Sequence, residues 1–191
     1  MKCGKPLSDQ RKEYCYDCAA GNRSFEQAKA MWVYEKAVKT SVYRFKYRDR
    51  REYGKAYAKE LALWYGSWIK SRNVQAIVPI PLHKKRKKKR GYNQAEIIAN
   101  ELGRILDLPV RADILIRARN TLPQKTLNDA ERKNNMKKAF KTTENIVQLR
   151  CILLVDDIYT TGSTLDAAAS VLKEAGVSLA YACCVSIGKD D

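Results

Sequence analysis

Apolar strand-like runs alternating with amphipathic stretches predict an α/β domain: a mostly parallel sheet with helices on both faces. The run Ile152–Val155 is apolar without interruption, as a strand covered on both faces must be. Helical periodicity occupies segments between the strand-like runs, as the crossovers of a parallel sheet require. A length of 191 residues suits one core of ordinary size with a small appendage rather than two full domains.

Residues 1–23 are polar, carry Cys and Gly and show no periodicity, so they read as a separate small module ending in the linker-like Ala19-Ala20-Gly21-Asn22-Arg23; residues 24–191 form the main domain. Ala28–Tyr34 is apolar enough for a strand, and Lys36–Phe45 suits a helix. Tyr53, Ala56, Tyr57, Leu61, Trp64 and Trp68 make one apolar stripe, predicting a helix over 53–68 whose aromatics serve the core. Gln75–Ile80, closed by Pro79 and Pro81, predicts a buried strand that ends at a turn. Asn93 followed by Glu96 has the pattern of a capping box, and Ala95, Ile98, Ala99, Leu102, Ile105 and Leu106 supply the apolar face of the next helix. Val110–Ile116 predicts a strand, Arg117–Thr126 a loop and Asp129–Lys138 a short polar helix. After Ile152–Val155, Thr164–Ala175 predicts an amphipathic helix stopped by Gly176, and Leu179–Ile187 a last strand.

Thirty-seven Lys and Arg against twenty-one Asp and Glu give a net charge of +16, which favours polyphosphates, nucleic acid or an acidic partner. No run approaches the length of apolar residues that a bilayer span needs, and the start lacks the apolar core of a signal peptide, so a cytoplasmic location is expected. Of the six cysteines, Cys151, Cys183 and Cys184 sit in apolar runs and read as small buried hydrophobes.

The segment from Ile152 to Leu165 carries the chemistry. An apolar strand runs into Asp156 and Asp157, then into a loop of hydroxylated residues and Gly, then into a helix. A loop that enters a helix N-terminus offers backbone N–H groups and the positive end of the helix dipole to a phosphate monoester. Thr160, Thr161, Ser163 and Thr164 add hydroxyl donors, and Gly162 lets the backbone approach without a Cβ in the way. Asp156 and Asp157 accept hydrogen bonds only, which suits the two hydroxyls of a ribose, and their charge helps hold Mg²⁺ on a diphosphate. A strand end capped by Asp beside a Thr-rich turn would share parts of this pattern, but not its full order.

The segment resembles the phosphoribosyl-diphosphate motif of type I phosphoribosyltransferases. Further matches narrow the resemblance to the ComF family of competence-associated proteins: Val78-Pro79-Ile80-Pro81-Leu82, Arg90-Gly91-Tyr92-Asn93-Gln94, and Gln124 to Leu127 followed by Arg132, Asn135, Ala139 and Phe140. The resemblance implies a type I phosphoribosyltransferase-like fold that binds 5-phosphoribosyl 1-diphosphate with Mg²⁺. Asp156 and Asp157 would contact ribose, Tyr159, Thr160, Thr161, Gly162, Ser163 and Thr164 would hold the 5-phosphate, and the turn Pro79, Ile80, Pro81, Leu82 would lie near the diphosphate. It further implies a role in the uptake of transforming DNA beside a helicase-like motor. One departure is chemical: purine-specific members of the superfamily carry an acid where this chain has Thr160, so proton abstraction from a purine lacks its usual base.

Directly after that turn, Lys84, Lys85, Arg86, Lys87, Lys88, Lys89 and Arg90 form an unbroken run of seven basic residues. It reads as a solvated, mobile loop, a clamp on the diphosphate, or a track for single-stranded DNA. Val42-Tyr43-Arg44-Phe45-Lys46-Tyr47-Arg48 interleaves aromatics with cations as stacking platforms do, although a helix end packed on the core would look similar. Cys15 and Cys18 have the spacing of a zinc knuckle and Cys3-Gly4 resembles the second half of another. The family pattern puts the fourth Zn²⁺ ligand three residues before Cys3, one position ahead of Met1.

Three functions fit these residues: a phosphoribosyl-diphosphate-binding protein that handles single-stranded DNA, a true phosphoribosyltransferase of salvage or amide-transfer type, and a non-catalytic scaffold. Fold alone does not choose among them.

Overall fold

The computed structural model describes residues 2–7, 9, 11–19, 21, 23–118, 139–143 and 149–189. Its centre is β5 (Cys151–Tyr159), the strand containing the uninterrupted apolar run, and β6 (Leu179–Ile187) lies parallel beside it. The edges are β1 (Ala28–Val33), paired with β6, and β2 (Ala76–Pro79), paired with β5, so the order is β1-β6-β5-β2 and every pairing is parallel.

The pleat sends Ile152 and Leu154 to one face and Leu153 and Val155 to the other, which is why the run carries no polar residue. Against the Leu153 face pack α2 (Lys36–Tyr47), α3 (Glu52–Ser71) and most of α5 (Gln94–Leu106), through Phe45, Tyr57, Leu61, Ile98 and Leu102. Against the Leu154 face pack α6 (Ser163–Glu174), the Cys-rich N-terminal module with its short α1 (Tyr16–Ala19), and an antiparallel pair, β3 (Leu115–Arg117) and β4 (Phe140–Thr142). The sheet is thus covered on both faces, and Cys151, Cys183 and Cys184 are buried in it as expected. Among the described residues no helix is long and apolar enough to cross a membrane.

Several expectations need correction. Lys84–Arg90 is a helix, α4, rather than a mobile loop: the His83 side chain accepts from Lys85 N at its start and Gly91 ends it at φ 81°. The Asn93–Glu96 capping box does not form. Asn93 stands at the N-cap but donates its side chain to the Ile80 carbonyl at 3.0 Å, while Glu96 pairs with Lys87 at 3.3 Å. Val110–Ile116 is not one strand; Val110 makes a single bridge to Ile77, and only Leu115–Arg117 continues as β3. On α3 the buried stripe is Gly54, Tyr57, Ala58, Leu61, Gly66 and Ile69, leaving Ala56 and Trp64 exposed. The loop expected over 117–126 begins with the last residue of β3, and its residues from 119 on, with the whole helix expected over 129–138, lie outside the described residues.

Candidate functional site

Two segments leave the carboxyl ends of neighbouring strands side by side. Pro79 of β2 pairs with Val155 of β5, and Ile80 N donates to the Val155 carbonyl at 2.9 Å, so the turn Ile80-Pro81-Leu82 starts next to Asp156. Asn93 fastens that turn from α5 through its bond to Ile80, a role that the capping pattern concealed. Carboxyl ends of strands are where ligands of open α/β sheets sit.

The acids differ from expectation in one respect: they lie within β5, which runs on to Tyr159 because the equally long β6 supplies ladder partners as far as Ile187. Asp156 is partly exposed, and its Oδ1 accepts from Asp157 N at 2.8 Å. Asp157 turns to the other face and pairs with Lys46 Nζ of α2 at 2.8 Å, with the two side chains 11% and 16% exposed. Past Asp157 the alternation falls out of step, Ile158 packing with the Leu153 face and Tyr159 with the Leu154 face.

Lost hydration and then the charge of Asp157 push Asp156 up to about 7, against the opposing pull of Lys46 and Arg117. Burial comes first in pulling Arg117 of β3 down, the like charge of Arg86 on α4 comes next, and Asp156 acts the other way. Lys46, Arg86 and Arg117 therefore all act electrostatically on the ground around the acids, and Arg117 also stacks on Phe140 at 5.3 Å. Because the folded state holds a proton on Asp156 that the unfolded chain releases at ordinary carboxylate pH, this group costs stability progressively as pH rises from about 4 to about 7. Denaturant titrations across that window are expected to show Asp156→Asn gaining on the wild type as pH increases; parallel curves would remove the burial argument.

The loop after β5 is open on its outer side. Thr160 and Thr161 are exposed, Ser163 and Thr164 half-buried, and the Thr161 and Ser163 hydroxyls are 2.7 Å apart. Gly162 takes φ 78° at the N-cap of α6, and no side chain caps that helix. A Cβ there would run into the Tyr159 ring, so Gly is required on two counts. Tyr159, grouped from sequence with the phosphate ligands, is 1% exposed, packs edge-on against Phe25 and forms the floor of the loop. Its side chain points away from the loop's open side.

α4 lies beyond the turn with its basic side chains mostly exposed. Arg90 at its end stacks over Tyr47 of α2 at 4.9 Å and donates to the Tyr47 hydroxyl at 3.0 Å. Tyr43 and Tyr47 are half exposed, with ring centroids 5.1 Å apart, whereas Phe45 between them is buried. The interleaved segment therefore presents Tyr43 and Tyr47 outward and Phe45 to the core. Two open grooves lie elsewhere, about 480 Å³ beside Leu63 and Ile105, and about 420 Å³ around Tyr14, Arg72 and Tyr181.

At the N-terminus the sulfurs of Cys3, Cys15 and Cys18 lie within 4.8 Å of one another, Cys3 and Cys15 at 3.4 Å. Lys5 N donates to Cys3 Sγ at 3.5 Å, and Cys18 N and Ala19 N both turn back to the Cys15 carbonyl in the helical turn that brings Cys15 and Cys18 together. Burial raises all three thiols, a cost that a bound cation would offset. The buried Tyr159 hydroxyl has no hydrogen-bond partner among the described residues, and all three cysteines, after burial itself, push its pKa up. The donor set fits a thiophilic ion such as Zn²⁺.

Comparison with known proteins agrees with this geometry. The phosphoribosyl transferase domain family matches residues 87–190, which take in the acids, the loop and α6. The chain is 31% identical over 180 residues to competence protein F of Haemophilus influenzae, covering 92% of this chain and 78% of that one. It is 31% identical over 180 residues to competence protein ComFC of Bacillus subtilis, covering 91% and 71%. It is 28% identical over 187 residues to the DNA utilization protein YhgH of Escherichia coli K12, covering 96% and 82%.

Proposed function

Because the chain belongs to the ComF family of competence-associated, phosphoribosyltransferase-fold proteins, we propose that it binds 5-phosphoribosyl 1-diphosphate and acts on single-stranded DNA during DNA uptake. The observation that carries the first half is the convergence of Asp156, the uncapped start of α6 and the Ile80-Pro81-Leu82 turn at the ends of adjoining strands. In this reading the 5-phosphate takes the N–H groups of the loop and the hydroxyls of Thr160, Thr161, Ser163 and Thr164. Asp156 accepts from the ribose hydroxyls, Asp157 stays paired with Lys46 behind it, and the diphosphate lies toward the turn, where Arg86 and Arg117 meet its charge. Mg²⁺ would supply charge neutralisation on the diphosphate oxygens. Calorimetric titration with 5-phosphoribosyl 1-diphosphate and Mg²⁺ tests this directly, and absence of heat and of thermal stabilisation would dispose of it.

The DNA half rests on α4 with the Tyr43–Tyr47 pair: cations to follow a backbone, and exposed rings for bases to stack on. If about four phosphates are neutralised, the log–log slope of affinity against salt should be roughly −3. A flat response would exclude this surface as a nucleic-acid track. Residues 1–23 act as a zinc-ribbon-like module, residues 24–191 as the phosphoribosyl-diphosphate domain, and the protein works in the cytoplasm beside a helicase-like motor.

A transferase reading is distinguished by diphosphate release with a panel of bases and ammonia. Thr160 stands where purine-specific relatives in the superfamily keep an acid, so binding without base transfer is the favoured outcome.

A further inference from the structure

Two buried side chains join the cysteine cluster to the phosphate loop. Arg23, its side chain 8% exposed, donates through Nη2 to the Asp17 carbonyl in the cysteine module at 2.9 Å and to the Thr161 carbonyl in the loop at 2.8 Å. The same guanidinium lies 3.8 Å from Asp166 Oδ2 in the first turn of α6, and Asp166 Oδ1 accepts from Ser24 N at 2.6 Å. Tyr159 is the second connection: its unpartnered hydroxyl end lies directly beneath Gly162, and all three cysteines act on it electrostatically. None of the four residues of α1 is fully buried; the turn that presents the Asp17 carbonyl is held by Cys15 and Cys18 and by the Lys5–Asp17 ion pair at 2.6 Å, so an ion on the cysteines would add to what fixes it.

We propose that Arg23 is a positioning residue coupling the two sites: an ion held by Cys3, Cys15 and Cys18 fixes the 15–19 turn, the turn fixes Arg23, and Arg23 fixes the loop at Thr161. This rests on the reading of that loop as a sugar-phosphate seat. Arg suits the task because its planar fork reaches two carbonyls from one nitrogen while still facing a carboxylate, which a lysine cannot reproduce. Coupling between binding sites is reciprocal, so the ion raises affinity for the sugar phosphate by the same factor as the sugar phosphate raises affinity for the ion, about ten-fold for linkages of this kind.

Two measurements on the Zn²⁺-loaded full-length protein test it. In the first, release of Zn²⁺ to a chromogenic chelator is followed with and without 5-phosphoribosyl 1-diphosphate and Mg²⁺; the ligand is expected to slow release about ten-fold. In the second, amide hydrogen exchange at residues 160–165 is compared before and after Zn²⁺ removal, without any sugar phosphate; removal should speed exchange by a similar factor. Arg23→Gln should abolish both effects while still binding Zn²⁺, and Arg23→Lys should not restore them. Loop exchange indifferent to Zn²⁺, or a chain that retains no Zn²⁺, overturns the coupling. If the sugar phosphate does not bind while exchange still responds to Zn²⁺, the ligand assignment fails and the coupling stands. Should Arg23→Gln not fold, the wild-type exchange comparison decides alone.

Discussion

Replacing Asp156 and Asp157 together by Asn is expected to weaken binding of 5-phosphoribosyl 1-diphosphate by roughly 100-fold or more. Hydrogen bonds to a charged partner contribute about 1.5–3 kcal/mol each, so even the low end for the two ribose hydroxyls facing Asp156 gives about 3 kcal/mol, or two decades of affinity, while Asp157→Asn also unpairs Lys46 behind it. The amide is nearly isosteric but neutral, and half of its polar capacity donates rather than accepts, so it cannot replace a carboxylate facing ribose hydroxyls. Calorimetry with Mg²⁺ present reads the loss, and circular dichroism checks that the fold persists. Unchanged affinity would support the scaffold reading, in which the acids serve only the end of β5.

Lys46→Met is expected to cost about 3 kcal/mol of stability. Lys46 and Asp157 form a pair with both side chains largely covered, and removing one member of such a pair leaves the other desolvated and unpaired. Met keeps most of the apolar stem, so the measured loss reports the charge rather than a cavity. The same substitution removes a charge that holds Asp156 down, so the titration of Asp156 should move further upward. Urea unfolding at fixed pH gives the first effect. A cost below about 1 kcal/mol would put the pair among ordinary screened surface pairs.

The sheet was legible because the first half of its central strand, covered on both faces, carries no polar residue; Ile152–Val155 announces itself by composition alone. The helices over 53–68 and 164–175 were legible through period, since each lays one stripe on a flat sheet. α4 escaped because seven like-charged residues contain no apolar stripe to betray a helix, although His83 caps its start and Gly91 is a stop signal after it. β4 escaped because three residues are too few to show alternation. At the site, the acids and loop stand together in sequence and were recognised together. Lys46, Asn93, Arg23 and Arg117 come from four other segments, and nothing local marks a lysine that will face Asp157 or an asparagine that will abandon its cap for Ile80. Tyr159 was misplaced because a tyrosine just before four hydroxylated residues looks like one more hydroxyl donor. Only the turn of the backbone at the end of β5 sends it inward.

The strand order also dictates when a growing chain can become a protein. β1 and β2 do not pair with one another; among the described residues each finds its ladder on β6 or β5, the last strands in chain order. A nascent chain emerging from the ribosome must therefore carry its first two strands, together with α2, α3 and α5, without a central partner until residues beyond Cys151 are out. Non-local closure of this kind is slow and leaves apolar surface open to chaperones or to aggregation in the interval. Premature termination anywhere before Ile187 forfeits part of this closure, and the ligand seat, being built from the same late strand, arises in the same step as the core.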